Sequence, residues 1–146
     1  HHSQKADGAS GAARRALVDT EALEQQVRSL GLSAEVNEPG SDTLSGQSTR
    51  FSECRGVIAL RGAEIANCFW MRKRAFLLIA NPEIMGPLHR MHRRFFESVG
   101  LQTQQLEPFS ITEKDYRISP NQLDAAFEKI LANPHFQGKN KSSKIV

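Results

Sequence analysis

The sequence predicts an α/β domain in which a parallel sheet is covered by helices on both faces. Three observations carry that expectation. Gly56–Leu60 (GVIAL) and Ala75–Ala80 (AFLLIA) are apolar throughout, the habit of strands buried on both sides of a parallel sheet. Between such runs stand segments whose apolar residues recur at three- and four-residue steps, as on one face of a helix. The separations between strand candidates leave room for helical crossovers, which parallel neighbours require.

The chain has 146 residues, the size of one domain. At that size roughly two-thirds of the unfolded surface is buried, enough for a core without metal or disulfide staples. Mean hydropathy is −0.44 and 39% of residues are hydrophobic, so a soluble chain is expected. No apolar run approaches the ~20 residues of a membrane helix, and no leader pattern is present. Cys54 and Cys68 form neither a CxxC nor a disulfide framework, and read as buried, reduced thiols of a cytoplasmic protein. Residues 1–13, beginning with His1-His2, read as a tag remnant and linker. The ordered domain is expected over 14–134. Residues 135–146, with Lys139, Lys141 and Lys144 among Gly, Asn and Ser, read as a flexible tail.

The first strand candidate is Arg15–Asp19 (RALVD). Thr20 is placed to cap the helix after it, with Glu21 in the first turn. Leu23, Val27 and Leu30 share a face of that helix, and Gly31 supplies its stop. Ser33–Asn37 is short and strand-like. Glu38-Pro39-Gly40 is a turn, and Asp42 or Ser41 can cap a second helix toward Phe51. Gly56–Leu60 is the third strand. Ala63–Lys73 reads as a short helix, with Ile65, Phe69 and Trp70 turned inward. Ala75–Ala80 is the fourth strand, closed by Asn81-Pro82. Ile84–Val99 is the best helix pattern: Met85, Leu88, Met91 or His92, Phe95, Phe96 and Val99 form its stripe, and Gly100 ends it. Leu101–Leu106 alternates as an edge strand does. Ser119-Pro120 opens the last helix in the preferred cap-then-proline order, with Leu123, Ala126, Phe127, Ile130 and Leu131 buried. Five strands alternating with helices give a doubly wound, five-stranded parallel sheet, and the flavodoxin-like order 2-1-3-4-5 is the expectation for that count.

In order and spacing these segments resemble the receiver domain of two-component signalling, over about Arg14 to Asn133. Arg15-Ala16-Leu17-Val18-Asp19 resembles the first receiver strand, which ends in paired acids. Leu30-Gly31-Leu32 with Ala34-Glu35-Val36 resembles the end of the first helix and the second strand. Gly56–Leu60 resembles the third strand. Leu106-Glu107-Pro108-Phe109-Ser110 resembles the Lys-Pro-Phe turn before the last helix.

The resemblance also implies a site, and its chemistry is absent here. Receivers hold magnesium with acids ending the first strand. They carry an Asp nucleophile at the end of the third strand, a hydroxyl ending the fourth and a Lys ending the fifth. Metal and ammonium neutralise the charge on the transferred phosphoryl oxygens. In this chain Asp19 then Thr20 stand at the acid pair, Leu60 or Arg61 at the nucleophile, Ala80 or Asn81 at the hydroxyl, and Glu107 at the lysine. The pocket is therefore expected to be degenerate, with no magnesium, no cofactor and no phosphorylation. Arg61 is expected to pair with Asp19 or Glu107, mimicking a filled pocket. The resemblance implies a pseudo-receiver module of a hybrid sensor kinase, not itself an enzyme. Its partners would be other domains of its parent, a response regulator or a second copy. Arg90, Arg93, Arg94, Gln104 and Phe109 are the candidate partner-binding face, because receivers make contacts through their fourth helix, fifth strand and last helix.

The net charge of +3 and pI of about 9.1 gather in Arg14-Arg15, Arg72-Lys73-Arg74 and the His89–Arg94 stretch. An alternative from another class is a nucleic-acid-binding accessory domain using Arg72–Arg74 and Arg90–Arg94. The plainer reading of those clusters is a solvated or protein-binding face, because Phe69, Trp70, Phe95 and Phe96 are expected in the core. His89 and His92 have a metal-binding spacing but no third ligand, and read as surface histidines. No GxGxxG, P-loop, HExxH or GxSxG motif is present, so a catalytic reading finds no support.

Overall fold

The computed structural model describes residues 15–37, 42–88, 90–134 and 144–145. Three five-residue strands form the middle of the molecule: β3 (Gly56–Leu60), β4 (Phe76–Ala80) and β5 (Gln102–Leu106). They are parallel and in register, Leu60 beside Ala80 and Ala80 beside Leu106. β4 is central and all five of its residues are buried, as its unbroken apolar run requires. Gly56 has a packing reason to be glycine: a methyl at its Cα would lie 2.0 Å from the Phe76 ring beside it.

The period of two along β4 divides the core. Phe76, Leu78 and Ala80 face α1 (Thr20–Ser29) and α4 (Pro120–Leu131), packing with Val27, Leu123, Phe127 and Ile130. Leu77 and Ile79 face the other way. They pack with Phe51 of α2 (Leu44–Glu53), with Cys54, and with Ile65, Cys68, Met71 and Phe96. Helices on both faces of a parallel sheet are thus formed.

The predicted order 2-1-3-4-5 is not. Beyond β3 the sheet continues only through two-residue pairings, β8 (Lys144–Ile145) against Gly56 and β2 (Ser33–Ala34) against β8. Two residues of the tail predicted to be flexible therefore stand where the first strand was expected. That strand shrinks to β1 (Ala16–Leu17), which pairs in parallel with β7 (Asp115–Arg117) in a separate small sheet. The amides of Ala16 and Val18 are bonded to the carbonyls of Lys114 and Tyr116, at 2.8 and 2.9 Å. β6 (Phe109–Ser110) joins β7 antiparallel.

Two predicted helices are altered for identifiable reasons. Ala63–Lys73 is a 3-10 helix over Ala63–Trp70. With three residues per turn, side chains at i and i+3 eclipse, so Ile65, Cys68 and Met71 line up inward and Phe69 and Trp70 turn outward. Ile84–Val99 is broken: a 3-10 turn at Glu83–Met85 ends at Gly86, at φ 64°, and α3 runs only from Arg90 to Ser98. The caps follow expectation more closely. The Ser119 hydroxyl accepts from the Gln122 amide at 3.2 Å, ahead of Pro120. In α2 the cap falls one residue later than expected: Thr43 Oγ1 accepts from Gly46 N at 3.1 Å, and Asp42 instead holds Arg50 at 3.1 Å. The predicted turn at residues 38–40 and the alternative cap at residue 41 lie outside the described residues. Among the described residues no helix is long and apolar enough to cross a membrane.

Candidate functional site

In parallel sheets of this kind ligands sit beyond the strand C-termini. The register brings Leu60-Arg61, Ala80-Asn81 and Leu106-Glu107 to that edge. The amide of Arg61 donates to the Ala80 carbonyl at 2.8 Å, and that of Asn81 to the Leu106 carbonyl at 2.9 Å. This much of the predicted pocket is assembled. Leu60 is half-buried, Ala80 and Asn81 are buried, and Glu107 is exposed.

Arg61 dominates the edge. Its Nη1 donates to Asn81 Oδ1 at 2.9 Å and to the carbonyls of Met85 and Gly86 at 3.0 and 3.1 Å. Asn81 Nδ2 donates to the same Gly86 carbonyl at 3.0 Å. The break before α3 follows from Gly86-Pro87, because proline has no N–H to donate and disfavours helical backbone in the residue before it. The guanidinium takes up carbonyls left free there. The expected pairing of Arg61 with Asp19 or Glu107 is not formed. A carbonyl cluster and an amide oxygen supply what a carboxylate was expected to supply.

Asp19 is engaged elsewhere. It sits at the N-cap of α1 with a left-handed backbone, φ 57°, an arrangement Asp tolerates better than most residues. Its carboxylate pairs with Arg117 of β7, whose guanidinium carbon lies 5.9 Å from the Phe109 ring centroid. Thr20 is the first residue of α1, not its cap. Both members of the Asp19–Arg117 pair are partly exposed, so it contributes at most about 1 kcal/mol. Arg117 was not singled out from the sequence; it lies in a charged loop with no strand-like run. Among the described residues no group of three His, Cys, Asp or Glu gathers in a way that would hold a metal ion.

Below Arg61 a pocket of ≈ 240 Å³ is lined mainly by Ile79, Met85, Leu88 and Phe96, with His92 at its margin. His89 lies outside the described residues. A larger, shallow hollow of ≈ 450 Å³ beside α2 is lined by charged groups that already answer one another, Arg50 reaching Asp42 at 3.1 Å and Glu35 at 3.8 Å.

The candidate partner face does not form one surface. Arg90, Arg93 and Arg94 are exposed on α3, where Arg93 Nε donates to Glu97 Oε1 at 2.8 Å. Glu97 also accepts from Thr103 Oγ1 at 3.4 Å, which places α3 over the Thr103 side of β5. Gln104 is in register with Leu78 and so belongs to the opposite, α1–α4 side. Phe109 lies in the small sheet under Arg117.

Cys54 and Cys68 are both buried and unbridged. Burial, with a smaller effect from Cys54 nearby, pushes the Cys68 thiol up from 9.0 to about 12.

No family model, curated protein or solved structure matches this chain.

Proposed function

We propose that this chain is a regulatory docking domain of receiver-like character that acts by protein contact and without phosphoryl transfer. The observation that carries the reading is Arg61 at the tip of β3, bonded to Asn81 and the Met85 and Gly86 carbonyls. A phosphoacceptor site needs a carboxylate there and an ammonium or metal facing it. This edge has a cation in the acceptor's place and an exposed carboxylate, Glu107, in the cation's place. Asp19, the remaining acid, is turned to Arg117. The receiver likeness rests on β3–β4–β5 and their two helical layers; on the β1 side that family's strand order is not kept. A parent such as a hybrid sensor kinase fits a module of this kind, shifting a neighbour's equilibrium by contacts that differ between its states.

The test is intact mass spectrometry after incubation with acetyl phosphate and magnesium. No phosphoryl adduct is expected. A stoichiometric acid-stable or acyl phosphate adduct would overturn the reading.

A further inference from the structure

We propose that the surface built from the 63–70 3-10 helix, the 72–74 turn and α3 docks an acidic protein segment that carries apolar side chains. This names the partner chemistry of the docking role above and rests on it. Phe69, Trp70 and Phe95 are 52%, 49% and 40% exposed. Two of them form a pair, and Trp70 follows Phe69 in the same 3-10 helix. The Phe69 and Phe95 rings meet edge to face with centroids 4.6 Å apart, and Phe95 in turn rests on buried Phe96 at 5.4 Å. A contiguous aromatic patch anchored on the core is what contact surfaces bury at their centre, with Trp and Arg as the usual energetic anchors.

The rim is basic. Arg72, Lys73 and Arg74 are exposed in a turn tied to the end of α3, the Arg74 amide donating to the Gly100 carbonyl at 2.7 Å. Arg90, Arg93 and Arg94 are exposed along α3 itself. Across residues 63–74 and 90–98 the sequence sets these six bases against two acids, Glu64 and Glu97, and Glu97 is engaged by Arg93. Charge complementarity therefore calls for an acidic occupant.

Neither terminal stretch of this sequence is acidic. Residues 1–14 carry Lys5 and Arg14 against Asp7, and residues 135–143 carry Lys139 and Lys141 with no acid. A symmetric pairing with a second copy would set the six bases against their own images, because a two-fold contact repeats the same patch on both sides. Single-stranded nucleic acid is acidic, but it binds by stacking bases on open ring faces. The Phe69 and Phe95 planes stand 74° apart and are packed on each other, so they offer no common stacking platform. Apolar side chains of a protein segment need no such platform.

Trp70 is the chain's one tryptophan, so its emission reports occupancy directly. The intact chain is titrated with an amphipathic helical peptide of leucine and glutamate, with its glutamine counterpart, and with oligo-deoxythymidine. The expected result is a saturable blue shift with the glutamate peptide. Its affinity should be about tenfold weaker for the glutamine peptide and for Arg94→Glu, and should fall with added salt. Arg94 is exposed, and an unchanged circular dichroism spectrum shows that the variant is folded. Absence of a shift, equal response to the glutamine peptide, or tighter binding of oligo-deoxythymidine would each overturn the proposal, the last in favour of nucleic acid. A negative titration in a chain that still refuses acetyl phosphate removes this surface alone. A phosphoryl adduct removes the contact-only function whatever the titration shows.

Discussion

One of the two layers that cover the sheet is built of regular α-helices alone and the other adds a 3-10 helix, and their outer surfaces differ. On one side α1 and α4 are regular α-helices. Val27, Leu123, Ala126, Phe127 and Ile130 recur at three- and four-residue steps and are all buried. Among the described residues no exposed large hydrophobic side chain lies on either helix. On the other side a 3-10 helix buries Ile65, Cys68 and Met71 at every third residue and leaves Phe69 and Trp70 outside. The first layer commits its apolar residues to stability. The second leaves some of them at the surface.

Four measurements probe this contrast, beginning with the most costly substitution. Phe127 is 1% exposed and meets Phe76 edge to face at 5.6 Å. Phe127→Ala should cost about 3–5 kcal/mol in urea denaturation, because it opens a cavity in the closed layer. Arg61→Ala strips a charged donor from the Asn81 amide oxygen and from the Met85 and Gly86 carbonyls. A loss of about 2 kcal/mol is expected, with faster amide exchange over residues 82–88. Arg61→Lys should recover part of the loss, since one nitrogen, Nη1, makes all three contacts. Trp70 is half in water already, so Trp70→Ala should cost about 1–2 kcal/mol, well below Phe127→Ala. A cost like that of Phe127→Ala would show that Trp70 belongs to the core.

Cys68 has no effect to show at neutral pH. Folding holds its thiol protonated up to about pH 12, against 9.0 for an ordinary thiol. The group adds no pH dependence to stability below pH 9. As pH climbs from 9 toward 12 the unfolded chain ionises first, so stability falls across that window. Iodoacetamide at about pH 8 should leave the folded chain unlabelled and modify it only on unfolding. Rapid labelling of the folded chain would contradict the packing of this layer.

Much of the frame was legible in the sequence. Unbroken apolar runs marked β3 and β4, alternation marked β5, and Ser119-Pro120 marked the start of α4. These signals are local, and local structure followed them. The departures come from partners far along the chain and from one local breaker. β1 pairs with Asp115–Arg117, three residues in a charged stretch that no hydrophobic pattern reveals. The helix expected from Ile84 stops at Gly86-Pro87, a breaker that the sequence carries and that apolar periodicity alone passes over. In the 63–70 segment a period of three and one of nearly four place the same residues on different faces, and a segment this short does not decide between them. At the site the ends of β3, β4 and β5 stand side by side, while the end of β1, with Asp19, belongs to the other sheet. The pairing expected for Arg61 is not formed, because an arginine is satisfied as well by carbonyls as by a carboxylate.

The contact-only role is tested most directly by the ¹H–¹⁵N spectrum of the chain with and without beryllofluoride and magnesium. Superimposable resonances for Asp19, Leu60, Arg61 and Asn81 are expected, since the Arg61 clasp leaves no acceptor for the phosphoryl mimic. Saturable shifts clustered on those four residues would contradict it.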